Sequence, residues 1–195
     1  MIFKGKEKKF WNWFEKNKQR LNEFIASEDK DYSVYEELNG EIKKYNELLF
    51  AEITIEDETP VLIITPDGMK DGYEPTVKLT DNAPDVEGWK IIRFRQPSDS
   101  FNIKMGDKEL SMEDFKVLRE FDEEHVHLAL CINGFVENDN QFITLGFLAL
   151  DHLLGEFNVI TRVGQIDFFG FDFLTQEHDS ISLLELRKEI EENLY

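Results

Sequence analysis

Hydrophobic and polar positions along the chain divide it into alternating helical and extended segments. Phe10, Trp13, Phe14, Leu21, Phe24 and Ile25 recur at i, i+3, i+4 and i+7, the spacing of one helical face, with lysines mostly between them. This predicts an amphipathic helix with an aromatic face in which Trp13 and Phe14 are core. Trp11 falls off the stripe, alongside Glu15, Lys18 and Asn22, and is expected to be the more exposed of the two indoles. Ser33 and Glu36 have the spacing of a capping box. They open a second predicted helix with Val34, Leu38, Ile42 and Tyr45 on one face and Gly40 as a weak point inside it. The two helices are expected to form an N-terminal hairpin.

The period then shortens. "LLFAEITI" (48–55) and "PVLIIT" (60–65) predict adjacent strands joined through "EDET". "TPDG" reads as a type I turn with Pro66 second and Gly68 fourth. "EPTVKLTDNAP" predicts a short helix between Pro75 and Pro84, and "WKIIRFRQP" (89–97) a strand. "FNIKMGDKEL" predicts a hairpin whose Gly106-Asp107 turn has glycine first, as type II′ prefers. "DFKVLREF" is taken as a strand, as is "HVHLALCI" (125–132). Residues 140–154 are apolar nearly all round, which predicts a buried helix ended by Gly155. "FNVITRVGQIDFF" is rich in β-formers and predicts extended chain, with Gly164 marking a bulge. Ser182 and Glu185 form a second capping box, opening a helix with Leu183, Leu186, Ile190 and Leu194 on one face.

Together these elements predict an α/β chain of the α+β type: a mixed, largely antiparallel sheet with helices on at least one face and the N- and C-terminal helices packed outside. The 195 residues suit a single domain, 1–195, divisible after Gln96-Pro97-Ser98 into two lobes, 1–97 and 98–195, that share a core. No internal repeat is evident.

Charge changes the picture more than composition does. The net charge is −19, yet residues 1–20 hold seven basic and two acidic side chains, leaving the remainder with 15 basic against 39 acidic, a net of −24. A field of that sign repels nucleic acid and anionic lipid and steers basic proteins. We therefore expect no nucleic-acid partner, no membrane partner and, if there is a partner, a basic protein. The longest apolar stretch, Phe142 to Leu154, contains Asp151 and His152 and is well short of the ~20 residues that cross a bilayer. The basic N-terminus is interrupted by Asn12, Glu15 and Asn17, unlike a signal peptide. A single cysteine, Cys131, lies among apolar neighbours and forms no intrachain disulfide, as expected of a cytoplasmic protein.

"FWNWFEKN", "VLIITPDG", "AP" followed by "GWKIIRFRQP", and "LLGEFNVIT" resemble a family of uncharacterised bacterial proteins, over about residues 10 to 165. The resemblance implies an α/β or α+β bacterial cytoplasmic protein. It carries no catalytic residues.

Site chemistry is sparse. His125 and His127 share one face of a predicted strand, beside Asp122, Glu123 and Glu124, and are the best candidates for a metal pair. They fix two ligands where metal motifs fix three or four, so we expect no metal and no other cofactor. His152 reads as a core or rim residue and His178 as part of a polar loop. No Gly-x-Ser-x-Gly, Gly-x-Gly-x-x-Gly or P-loop is present. The expectation is a non-enzymatic, macromolecule-binding protein, for instance an immunity-type protein whose acidic surface neutralises a basic toxin. The alternative is a metal-dependent enzyme built on His125 and His127.

Overall fold

A computed structural model describes residues 5–194. The chain divides into two compact units, the first ending at Phe94 and the second beginning at Arg95. Among the described residues there are six α-helices and eight strands, and the fold is α+β. The strands form three separate sheets rather than the one sheet expected.

In the first unit, α1 (Lys6–Ala26) and α2 (Ser33–Tyr45) precede β1 (Phe50–Glu56) and β2 (Thr59–Thr65), and α3 (Tyr73–Asp81) leads to β3 (Lys90–Arg93). β1 and β2 pair antiparallel and β3 adds parallel to β2, giving the order β1-β2-β3. Ala51, Ile53, Leu62, Ile64 and Ile91 meet Phe10, Phe14, Leu21, Leu38, Ile42 and Leu79 in one core.

The first unit departs from three local expectations. Trp11, not Trp13, is the buried indole. Its Nε1–H donates to the Leu79 carbonyl at 2.9 Å, and its ring meets Phe10 and Phe14 edge-on, at 4.9 and 5.9 Å. Trp13 is half-buried. The two indoles are about 200° apart around the helix, on opposite flanks of the stripe, and α3 covers the Trp11 flank. Ser33 is not the N-cap of α2: it lies inside the first turn, and Asp31 Oδ1 accepts its N–H at 3.0 Å instead. The Pro66 turn is not type I. Asp67 and Gly68 both have positive φ, 53° and 75°, and Met69 N–H closes onto the Pro66 carbonyl at 3.1 Å, the type I′ pattern one residue further on.

The second unit opens with the hairpin β4 (Asn102–Met105) and β5 (Lys108–Ser111). Of its two turn residues only Gly106 has positive φ, as type II′ requires. β6 (Phe115–Phe121) and β7 (Val126–Ile132) pair antiparallel, then α4 (Asn140–Leu154) and α5 (Glu156–Arg162) lead to β8 (Val163–Gly170), which joins β7 in parallel. α6 (Leu183–Asn193) follows, opened by the Ser182–Glu185 capping box. The core gathers Phe115, Val117, Leu128 and Leu130 from the sheet with Leu145, Leu150 and Leu153 of α4 and Leu186 and Ile190 of α6.

Residues 157–162, expected to be extended, form all but the first residue of α5. Their β-branched side chains favour a strand, but burial decides otherwise: Ile160 is buried, Asn158 Nδ2 donates back to Leu154 O, and the buried Glu156 carboxylate accepts the Arg95 N–H at 3.1 Å. α4 and α5 meet at 107° across Gly155, whose φ is +77°. No single helix among the described residues is long and apolar enough to cross a membrane. α4 buries most of its surface, but Phe147 is 44% exposed. Gly146 sits where a Cβ would lie 2.5 Å from the Phe168 ring, so the helix approaches the sheet closely at that point.

Candidate functional site

The β6-β7-β8 sheet has one face on the core and one face open. Strand alternation sends Val117, Leu128, Leu130, Ile166 and Phe168 inward. The same alternation leaves Leu118, Glu120, His127, Ala129, Gln165 and Asp167 around a shallow depression of about 580 Å³ on the other side. Cys131 shares that side but is buried, and burial pushes its thiol up to about 11, far from thiolate chemistry.

His127 lines the depression and is tied at both ring nitrogens. Nε2 is 3.0 Å from Asp122 Oδ2, and Nδ1 is 3.1 Å from the Gln165 backbone nitrogen. A backbone N–H only donates, so Nδ1 accepts. The neutral ring therefore carries its proton on Nε2 and donates it to Asp122. The bulge makes this possible. Between the Val126↔Val163 and Leu128↔Ile166 pairs, β8 has one extra residue, which turns Gln165 N–H toward the imidazole. Gly164 is required by the same approach: a Cβ there would stand 2.7 Å from His127 Cε1. The bulge expected at Gly164 and the candidate His127 belong to one feature.

Asp122 anchors this arrangement from the β6–β7 turn. It accepts backbone N–H groups from Glu124 at 2.8 Å and His125 at 2.6 Å as well as the His127 ring. These bonds, with the Glu124 N–H contributing most, hold its carboxyl well below the usual carboxylate range. His125 precedes β7 rather than lying in it, and its Nδ1 is 3.7 Å from Asp122 Oδ1, beyond hydrogen-bond range. The structure thus brings His125 and His127 to one carboxylate, and no three His, Cys, Asp or Glu side chains among the described residues are grouped to hold a metal ion. His152 is exposed on α4 near Phe101, and His178 stacks on Phe173 with Nδ1 accepting from Thr175 N–H. Neither joins the depression.

Charge on the open face is one-sided. Glu120 and Asp167 stand on it and Asp122 at its end, while Lys116 is its one lysine or arginine among the three strands. Arg119, the other cation of β6, points to the opposite face, where it pairs with Glu189 at 2.7 Å and Asp179 at 2.8 Å. Sequence reasoning did not single out Glu120, Gln165 or Asp167. Strand alternation marks their side of β6 and β8, but only pairing to β7 assembles them. Comparison with protein-family models, curated proteins and solved structures found no match.

Proposed function

We propose that this chain is a soluble, cytoplasmic bacterial protein without enzymatic activity that binds a basic protein through its acidic surface, in its most concrete form an immunity-type inhibitor. The observation that supports this reading is the uncovered sheet face bearing Glu120, Asp122 and Asp167, within a body that carries −24 beyond its first 20 residues. Complementary fields of this kind speed encounter and reject wrong partners. The metal-enzyme alternative is disfavoured by the hydrogen bonds of His127, since both ring nitrogens are already engaged and coordination at either would break one of them.

Recovery of partners from the native host at low and high salt tests the reading. The Debye length falls from about 10 Å at 0.1 M to about 3 Å at 1 M, so a basic partner should associate more slowly as salt rises. The Glu120→Lys, Asp167→Lys double variant should weaken its capture. Recovery of DNA, or of an acidic partner indifferent to salt, would overturn it. One zinc or iron per chain, lost in a His125→Ala, His127→Ala variant, would promote the enzyme reading instead.

A further inference from the structure

The edges of the sheets are treated unequally. On β1, the outward N–H of Ala51 donates to Asn39 Oδ1 at 3.1 Å and its carbonyl accepts from Tyr35 Oη–H at 3.0 Å, so side chains from α2 close that edge. On β6, Val117 exchanges two backbone hydrogen bonds with Ile181, at 2.9 and 3.0 Å. On β8 nothing comparable is found. Its one neighbouring strand is β7, and among the described residues no hydrogen bond reaches its outer edge. Past the bulge, from Ile166 to Phe169, this edge has no proline and no lysine, two residues that commonly block strand addition, and its one charge is Asp167.

We propose that the outer edge of β8, Ile166 to Phe169, receives an extended segment of a basic protein as an added strand. The proposal rests on the basic-partner reading above and specifies how that partner is held. Chemistry on the two sides of the edge defines the occupant. On the core side, Phe168 meets the exposed ring of Phe147 at 5.4 Å, edge to face, forming an apolar shelf beside Ile166. On the open side stand Gln165 and Asp167, with Glu120 across the sheet. Side chains of an added strand alternate between these two faces, so the matching segment alternates apolar with basic residues. A second copy of this chain is a poor occupant. Pairing β8 with β8 would bring two Asp167 side chains to one edge in molecules that each carry −19.

The probe is a synthetic ten-residue peptide alternating Val and Lys. The control has the same sequence, N-methylated at every second residue so that one backbone edge cannot hydrogen-bond. Each is titrated into the full-length ¹⁵N-labelled chain at 0.1 M salt. The unmodified peptide should shift the amides from Ile166 to Phe169 and protect the alternate ones whose N–H faces away from β7. N-methylation should weaken binding at least about tenfold, because the hydrogen bonds of the edge are lost. Asp167→Lys, at an exposed position, should weaken it about fivefold. Equal binding of both peptides, mapped to Glu120 and Asp167 and not to the β8 amides, would refute strand addition while leaving the charge reading intact. Absence of binding by either peptide up to millimolar concentration would also refute it, and the salt-dependent capture of a basic partner would then be judged separately.

Discussion

Replacing Trp11 by alanine should cost the first unit far more than replacing Trp13. Trp11 is 3% exposed. A tryptophan buries about 150–250 Å², worth about 4–6 kcal/mol at 25 cal/mol per Å² before correction for a compact unfolded state. Truncation also strands the buried Leu79 carbonyl, which the indole N–H reaches at 2.9 Å, at a cost of about 1–3 kcal/mol. Partial collapse of the cavity returns some of this, so Trp11→Ala should cost about 4–5 kcal/mol, the upper range for such truncations. Trp11→Phe, which keeps much of the ring packing and removes the hydrogen bond, should cost about 1–2 kcal/mol. Trp13→Ala, at a half-buried position, should cost about 1–2 kcal/mol. Urea melts followed by tryptophan fluorescence suit the test, because Trp11, Trp13 and Trp89 all lie before Phe94 and report the first unit. With a slope of about 2 kcal/mol/M, the Trp11→Ala midpoint should fall by about 2 M. Equal losses at the two positions, or a larger loss at Trp13, would refute the packing described for α1.

Two glycines in helices should respond in opposite directions to alanine. Gly40 is exposed on α2 with nothing within 4 Å of an added Cβ, so Gly40→Ala should stabilise by about 0.5–1 kcal/mol, whereas Gly146→Ala, pressed against Phe168, Leu130 and Ile132, should cost about 1–2 kcal/mol in the same melts. Because the folded pKa of Asp122 is depressed, its stabilising contribution is present above the unfolded value of about 3.9 and is lost as pH falls through the folded value. The stability difference between the native chain and Asp122→Asn should therefore narrow in acid, and NMR titration of the Asp122 carboxyl should give a midpoint below 3.9; a midpoint at or above it would contradict the hydrogen bonding described.

Much of the α+β character was legible from side-chain periodicity. α4 runs from Asn140 to Leu154 as its apolar run predicts, α6 starts at the Ser182–Glu185 box, and Gly106 makes the β4–β5 turn. These features are local: a cap, a turn glycine or an apolar face acts within one or two turns of chain, so neighbouring residues carry the whole cause. Where two local solutions were close in free energy, the tertiary structure chose. Ser33 has the spacing of a cap, but Asp31 supplies the acceptor because the helix begins one residue earlier. Phe157 to Thr161 favour a strand by propensity, and the burial of Glu156, Asn158 and Ile160 makes a helix of them. Trp13 extends the aromatic stripe by spacing, but Trp11 and Trp13 lie on opposite flanks of Phe10, Phe14 and Leu21, and α3 packs on the Trp11 side. The candidate site divides in the same way. His127 and Gly164 were visible as separate marks in the sequence, 37 residues apart in the numbering. That the bulge delivers Gln165 N–H to the imidazole, that Arg119 turns away to Glu189, and that Glu120 and Asp167 share an open face all depend on pairing between strands distant in sequence. Periodicity fixes which side of its own strand a residue occupies; strand order and register fix what it meets, and these are set by the packing of the whole unit.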